Sequence, residues 1–488
     1  MKHNLPKLFI TSLLLFCILL LTEHIGLIKF NSPLIISSFL VNGFISIILL
    51  SSAISEDGMS LKVIFCFFNS TFFFLVPFLQ YLTGNWLFLQ DYDELVYANI
   101  LILFWIILFH CGYFLGTRQS KKNIFREFTH YNYYIINNSK LWFAASLISI
   151  LTLYFVQSSG LIAILFRSQG GIVTALGGWG PLGLIGEYYL RPLPLFLFLF
   201  TVYYVRGLKS LNVYKYLLVF LSLLLAVGLN FPTATARFYV FAVYFGSLIF
   251  FKQPNSKNGY FYLLIIFFSL ICSDWIEFSR GTQDFSYITN IKFELNIKYF
   301  FAGHFDAYEN FIHAIKYCEY NGITWGRQLL GILLFWMPRA FWSNKPIGTG
   351  AFISHNYLHL NYKVGNDNLS APLIEEFYIN FGIPALIFGA FIVGIIFGLL
   401  DDKYRKYKNI HPSILIPPMY AILYPVLVGL SLFVLRGDGM SSFAYSSGII
   451  TAYMTLRVFL VKKISPKTLA NNYSISGFDN YHENSHYV

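Results

Sequence analysis

Arginines at or near the ends of long apolar segments are the first candidates for chemistry in this chain. Arginine is costly near a lipid bilayer and is rarely placed there without a partner or a purpose. Its planar guanidinium grips a phosphate or pyrophosphate through two parallel hydrogen bonds. The alternative role is structural, either snorkelling to headgroups or local pairing, as of Glu187 with Arg191. The candidate phosphate-binding residues are Arg167, Arg191, Arg237, Arg280, Arg339 and Arg436.

Two further residues are candidates for acid–base catalysis. Glu376 stands where a polar segment turns into an apolar helix, so its carboxyl is expected to face a partly dry cavity. Desolvation there favours a general base, whereas nearby arginines act in the opposite direction. His355 is the second candidate base. Glu376 is also suited to the plain role of a first-turn carboxylate favoured by the helix dipole. Adjacent Glu375 points roughly 100° away around the helix.

The elements that carry these residues are apolar over most of the chain. The 488 residues are 56% hydrophobic and 12% charged, with a mean hydropathy of +0.59. A soluble chain carries roughly a quarter charged residues. A helix of about 20 apolar residues crosses a bilayer core. The sequence therefore predicts an all-α polytopic membrane protein with about twelve transmembrane helices.

The apolar runs set the predicted domain organisation. Transmembrane helices occupy 1–276, a large loop follows at 277–375, further helices occupy 376–461, and a tail covers 462–488. The first run lacks a small-residue cleavage pattern and is interpreted as an uncleaved signal anchor. The spans lie near 8–28, 33–54, 61–82, 95–116, 141–157, 186–205, 212–230, 237–251, 260–276, 376–400, 413–435 and 440–461.

The distribution of lysine and arginine predicts the orientation. With twelve spans and both termini in the cytoplasm, the cytoplasmic segments hold 21 of the 34 basic residues. Of the other 13, eight lie in the long loop, where the positive-inside rule does not apply. The comparison over short segments is therefore 21 against 5, so the loop is predicted to be periplasmic and the tail cytoplasmic. This asymmetry explains the net charge of +11, so the charge does not indicate a nucleic-acid partner.

The large loop contains one apolar run, from Leu329 to Met337. Nine residues are too few to cross a bilayer, so a short re-entrant or interfacial helix is predicted. Irregular backbone at membrane depth is tolerated only where protein covers it or where it lines a cavity.

Several local patterns resemble the O-antigen polymerases, the Wzy-type oligosaccharide repeat-unit polymerases. An arginine followed eleven positions later by a glycine occurs at Arg167 with Gly178 and at Arg339 with Gly350. An ordered series follows the large loop's apolar run. It reads Trp342-x-x-Lys345-Pro346, then Asn368-x-Ser370, then Glu376-x-Tyr378-x-Asn380-Phe381-Gly382. His355-Asn356 also resembles the related O-antigen ligases, although it stands about twenty residues before the helix entrance.

The resemblance implies a GT-C-like, membrane-embedded glycosyltransferase in the bacterial inner membrane. Such an enzyme transfers a growing glycan from one undecaprenyl pyrophosphate to a second lipid-linked repeat unit, on the periplasmic face. It uses no nucleotide sugar, and a chain-length regulator is a possible partner. No cofactor is expected; Asp367, Glu375 and Glu376 are close in sequence, but their spacing does not indicate a metal site. The expected roles are phosphate binding for the arginines and proton transfer for Glu376 or His355.

Three other functions remain as alternatives. A lipid-linked oligosaccharide flippase or other transporter fits twelve spans, but the connection Ser55–Ser60 lacks the Gly-x-x-x-Asp-Arg type signature of facilitator porters. An O-antigen ligase shares the same chemistry. A membrane scaffold has no need of arginines and carboxylates gathered at one face.

Reporter fusions after Thr289 and after Lys463 test the predicted orientation. We expect the two fusions to report opposite sides of the membrane, with only the first periplasmic, because of the charge asymmetry. A cytoplasmic reporter at Thr289 would contradict both the orientation and the functional argument.

Overall fold

The computed structural model describes residues 32–127, 133–166, 172–178, 180–206, 208, 212–252, 255, 258–271, 305–360, 369–410 and 419–464. In the N-terminal half the helices are α1 (Pro33–Asp57), α2 (Leu61–Thr83), α3 (Leu95–Glu127), α4 (Asn138–Ser159), α5 (Leu161–Leu165), α6 (Ile172–Ala175), α7 (Pro181–Arg206), α8 (Val213–Leu229), α9 (Arg237–Phe251) and α10 (Gly259–Ile271). In the C-terminal half they are α11 (Ala307–Asn321), α12 (Arg327–Leu333), α13 (Thr349–Asn356), α14 (Leu373–Ile410), α15 (Met419–Arg436) and α16 (Gly439–Leu460).

Eight of the described helices are long and apolar enough to cross a membrane, which agrees with an all-α membrane protein. They are α1, α2, α3, α4, α7, α8, α14 and α15. Helix α9 has 15 residues and is too short to count among these eight. Helix α16 has 22 residues, but it is not one of the eight candidate spans. The predicted spans 8–28 and part of 260–276 lie outside the described residues. The predicted number of twelve transmembrane helices therefore stays a prediction.

A two-stranded antiparallel sheet is the one departure from helix among the described elements. Strand β1 (Tyr133–Ile136) pairs with β2 (Val461–Ile464), with Tyr133 opposite Ile464. It joins the start of α4 to the end of α16, because Asn137 N also donates to Leu460 O at 3.1 Å. The apolar pattern of the sequence gave no signal for this pairing.

The long helices alternate in direction, so their ends gather at two opposite places. At one place, called the basic end, α1 meets α2, Arg206 bonds the carbonyl of Phe250 at the end of α9, and α14 carries Arg405. At the other, called the carboxylate end, the start of α14 meets the start of α16 through Glu376 and Gly439. The short helices α11, α12 and α13 belong to the carboxylate end.

Glycines bring the helices into close contact. A side chain at Gly112 or Gly116 of α3 would collide with the backbone of α14, and one at Gly394 or Gly398 of α14 with the backbone of α3. Small residues at this spacing let two helix backbones approach, which is the usual route to tight packing between apolar helices. The pair α3–α14 is therefore a central seam of the bundle.

At the basic end, Asp401 of α14 organises several helices. Its two carboxylate oxygens accept hydrogen bonds from the backbone N–H groups of Leu61 and Lys62, both at 3.1 Å. They also accept from the hydroxyls of Tyr113 at 3.0 Å and Tyr424 at 2.7 Å. One buried carboxylate thus satisfies the first N–H groups of α2, which have no partner inside their own helix. The sequence analysis did not foresee this contact.

Helix α14 is broken near its start. Phe381 (φ −144°, ψ 16°) and Gly382 (φ 68°, ψ −151°) leave the helical region, and Pro384 follows. A positive φ at this point favours glycine. The break frees the carbonyls of Ile379 and Asn380, which accept from Thr324 N at 2.8 Å and Gly326 N at 3.2 Å. The first turns of α14 are thereby separated from the long span and tied to the loop before α12.

Asp401→Asn tests the role of the carboxylate at the basic end. The amide keeps one acceptor oxygen but presents N–H groups to donors, so we expect the free energy of unfolding to fall by about 2–4 kcal/mol. Glu56→Gln is the matched control, because Glu56 forms an exposed pair with Lys62 at 2.9 Å and should cost less than about 1 kcal/mol. Denaturation of the detergent-purified protein measures both, and equal effects would contradict the assignment.

Candidate functional site

Glu376 lies at the junction of three helices. Its Oε2 accepts from Thr349 Oγ1 of α13 at 2.6 Å, and its Oε1 accepts from Gly439 N of α16 at 2.7 Å. The side chain is only 6% exposed. Both donors are neutral, and no described Lys or Arg forms an ion pair with this carboxylate. The position agrees with the predicted helix entrance and provides a desolvated carboxylate with its two oxygens fixed.

Asp438 stands beside it at the start of α16. Its Oδ1 accepts from the backbone N–H groups of Met440 at 3.0 Å and Ser441 at 3.2 Å, as an N-cap does. Its Oδ2 accepts from Gly350 N of α13 at 3.1 Å. Burial raises the pKa of the Asp438 carboxyl, while these backbone N–H groups act to lower it. Helix α13 is therefore held by Glu376 and Asp438 together.

A partly buried ion pair joins Asp306 to Arg436. Arg436 Nη2 donates to Asp306 Oδ1 at 2.6 Å, while Asp306 Oδ2 accepts from Asn310 Nδ2 and Ser370 N, both at 3.0 Å. The guanidinium lies 4.8 Å from the ring centroid of Phe238, the residue after Arg237. One candidate arginine, Arg436, is thus fixed at the carboxylate end. A second, Arg237, directly precedes Phe238, whose ring Arg436 contacts.

Glu375 is the exception among these carboxyls. It is fully buried, and neither of its oxygens has a hydrogen-bond partner among the described residues. The charged groups that act on it are Glu376, Asp306 and Asp438, all of the same sign. A buried carboxyl without a donor or a counter-charge is costly and is uncommon in folded proteins.

Four carboxyls and one guanidinium therefore occupy one region of the carboxylate end. Among the described residues, no group of three or more His, Cys, Asp and Glu side chains is arranged to hold a metal ion. What the arrangement offers chemically is proton transfer at Glu376 and charge pairing at Arg436.

Among the candidate arginines, Arg191 lies inside the protein. Arg191 is fully buried and bonds Glu187 Oε2 through Nε at 3.0 Å and the Leu229 carbonyl at 2.8 Å. Glu187 also accepts from Tyr445 Oη at 2.9 Å, so this pair ties α7 to α8 and α16. Such an arrangement is the local-pair alternative considered from the sequence.

The remaining arginines differ in exposure. Arg339 is exposed, and its Nη1 donates to the Lys345 carbonyl at 2.9 Å. Arg237 is half-buried at the start of α9. Arg167 and Arg280 lie outside the described residues. The structure thus brings Arg237 and Arg436 into one neighbourhood and keeps Arg191 inside the protein.

His355 does not meet Glu376. It is half-buried in the last turn of α13, six residues after Thr349, which corresponds to about 9 Å along the helix. The two candidate bases therefore lie at opposite ends of α13.

Other motif residues support the site. Asn380 Nδ2 donates to the Glu376 carbonyl at 2.7 Å, and its Oδ1 accepts from Leu329 N of α12 at 3.0 Å. Lys345 Nζ donates to the Met337 carbonyl at 3.0 Å, within the segment that follows α12. Asn368 is outside the described residues. The sequence analysis missed Asp306, Thr349 and Asp438, although an Asp before an apolar helix is a recognisable N-cap signal.

No family model, no curated protein and no solved structure matches this chain.

Glu375→Met and Asp306→Asn are predicted to have opposite effects on stability. Methionine is apolar and of similar length, so it removes an unpartnered polar group, and the free energy of unfolding should rise by about 1 kcal/mol or more. Asparagine at 306 leaves the partly buried Arg436 without its carboxylate and should cost about 3 kcal/mol. Denaturation of the purified variants measures both changes, and a large destabilisation by Glu375→Met would show that its carboxyl has a partner in the folded protein.

Proposed function

We propose that this chain is a membrane-embedded glycosyltransferase that polymerises lipid-linked oligosaccharide repeat units. Its substrates are glycans on undecaprenyl pyrophosphate, and the reaction takes place on the periplasmic face of the bacterial inner membrane. Three observations support the proposal: the eight apolar helices, the carboxylates gathered at the end opposite the basic one, and the resemblance of Glu376–Gly382 to the polymerase pattern.

The observation that carries the proposal is the setting of Glu376. A carboxylate that is buried, held on both oxygens by neutral donors and not paired with a cation is suited to accept a proton. In the proposed reaction Glu376 removes the proton of the acceptor sugar hydroxyl as that oxygen attacks the anomeric carbon. The bond from the anomeric carbon to the pyrophosphate oxygen then breaks, and the lipid pyrophosphate leaves with the negative charge.

Arginines serve the leaving group in this proposal. Arg339 is exposed and Arg237 is half-buried, so in this proposal a phosphate at the surface of the carboxylate end can reach both side chains. Arg436 pairs with Asp306 and supplies positive charge from within. Arg191, enclosed by Glu187, supports the fold around Tyr445 and does not contact substrate. Arg167 and Arg280 stay predictions from the sequence. His355 is the second candidate for the general base.

A transporter is the second candidate, and one observation favours it. A broken helix that carries a buried carboxyl near the break, as α14 does with Glu375, which has no hydrogen-bond partner among the described residues, also occurs in proton-coupled carriers. In that case the chain moves the lipid-linked oligosaccharide across the membrane. An O-antigen ligase is a third candidate, because it uses the same transfer chemistry on a different acceptor.

Deletion of the gene in the native host, followed by a gel of surface lipopolysaccharide, separates these functions. A polymerase mutant should carry one repeat unit on the core and no ladder. Absence of any repeat unit would indicate a flippase or a ligase and would contradict the proposal.

Complementation of that deletion then tests Glu376. We expect Glu376→Gln to abolish the ladder at normal membrane abundance, with a loss of about 100-fold or more, because an amide cannot accept the proton. Glu319→Gln is the matched control, since Glu319 is exposed on α11 and should support a normal ladder. A normal ladder from Glu376→Gln with none from His355→Ala would assign the base to the histidine.

A further inference from the structure

A second polar cavity lies at the basic end, far from Glu376. Its volume is ≈ 260 Å³, and it lies between the end of α1, the start of α2 and the last turns of α14. Buried side chains of Asp401, Tyr404 and Tyr424 form its floor, while Glu56 and Lys408 stand at the more exposed rim. Small-molecule sites start at roughly 300 Å³, so this cavity has room for a headgroup-sized ligand and not for a larger one.

The acidic groups of the cavity are already satisfied. Asp401 accepts the four hydrogen bonds described above, and Asp57 forms an ion pair with Arg405, whose Nη2 donates a hydrogen bond at 3.0 Å and whose Nε lies 2.8 Å from the carboxylate. Glu56 pairs with Lys62 at 2.9 Å. These carboxylates therefore fix the shape of the cavity and set its charge, which limits the kinds of ligand that fit.

One buried donor in the cavity is unused. The hydroxyl of Tyr404 has no hydrogen-bond partner among the described residues, and the side chain is 7% exposed. The Tyr404 ring stacks on Tyr424 with centroids 4.0 Å apart, so packing keeps it in place without the hydroxyl. Lys408 brings an ammonium group to the same cavity, within the field of Asp57. A buried hydroxyl donor beside an ammonium is a setting that suits a phosphate oxygen.

The charge balance of the cavity further limits the classes of ligand that can bind. The lining has three acidic groups, Glu56, Asp57 and Asp401, against two basic groups, Arg405 and Lys408, and Lys62, which pairs with Glu56 from outside the lining, brings the local charges into balance. A doubly charged phosphate ester is disfavoured, because the cavity has no excess of positive charge to neutralise it. A phosphodiester that carries its own ammonium is favoured, because the ammonium meets the acidic rim while the phosphate meets Tyr404 and Lys408.

We infer that this cavity binds the aminoalkyl phosphodiester headgroup of a membrane lipid, of the phosphoethanolamine type. The position supports a lipid source, since the cavity lies where helices of membrane-spanning length end among basic residues. The inference is independent of the proposed polymerase activity.

Native mass spectrometry of the detergent-purified full chain, titrated with phosphatidylethanolamine or phosphatidylglycerol, tests this site. We expect phosphatidylethanolamine to bind more tightly, and Tyr404→Phe and Lys408→Ala each to weaken it about tenfold, because each removes a bond to the phosphate. Lys403→Ala is the matched control, as Lys403 lies on the same helix but does not line the cavity, and it should leave binding unchanged.

Four results would overturn the inference. Unchanged affinity in both Tyr404→Phe and Lys408→Ala, or an equal loss in Lys403→Ala, would show that the headgroup does not occupy the cavity. Equal binding of phosphatidylglycerol with the same variant dependence would remove the requirement for an ammonium. Variant-dependent binding of soluble glycerophosphoethanolamine but not of the lipid would assign the site to a free phosphodiester. Tyr404→Phe should fold normally because its ring stacking is kept, so a loss of binding there reports on the hydroxyl.

Discussion

Buried carboxylates that accept backbone N–H groups from other elements are the interaction on which this structure depends. An apolar surrounding offers no water to the N–H groups at helix starts and in loops, so the protein must supply acceptors. Asp401 does so for Leu61 and Lys62, and Asp438 does so for Gly350. Glu309 of α11 does the same for the loop after α2, where it accepts from Leu87 N at 3.1 Å. Each such bond joins elements far apart in sequence.

This constraint explains why the acidic residues are concentrated at the two ends of the bundle. Between the ends, glycines such as Gly112 and Gly394 let the helices touch through backbone, and no polar group is needed. At the ends, the backbone becomes irregular, and Asp401, Asp438 and Glu309 accept hydrogen bonds from its N–H groups. Glu375 is buried in the same region but accepts from none of the described residues, and proteins retain unpartnered buried groups mainly where function requires them.

The sequence was sufficient for the spans that depend on local composition. Runs near 33–54 and 95–116 are apolar helices in the structure, because length and hydropathy alone decide such elements. The position of Glu376 at a helix entrance was also readable, since the polar-to-apolar change is local. The pairing of Glu187 with Arg191, four residues apart, was considered from the sequence and is present at 2.5 Å.

The contacts that assemble the site could not be read from the sequence. Asp438 reaches Gly350 and Asp306 reaches Arg436 across long stretches of chain, and no local pattern encodes which acid meets which donor. The sequence analysis did not predict the break in α14, and the groups that bond its freed carbonyls come from the loop at Thr324. The pairing of β1 with β2 is likewise a tertiary effect on short segments of weak intrinsic preference.

The same hydrogen bonds make the site a rigid one, although most of it comes from a loop region. Helix α13 is fixed by Glu376 and Asp438, and α12 is fixed by Asn380, so the carboxylates keep their positions without a substrate. The outward face of α12 remains apolar and exposed at Leu330 and Leu333. A rigid polar site next to an apolar surface suits the proposed substrate, which has a sugar at one end and a lipid at the other. In the proposed glycosyl transfer, a site that holds its groups in place before binding needs little of the binding energy to order them and leaves more to stabilise the transition state.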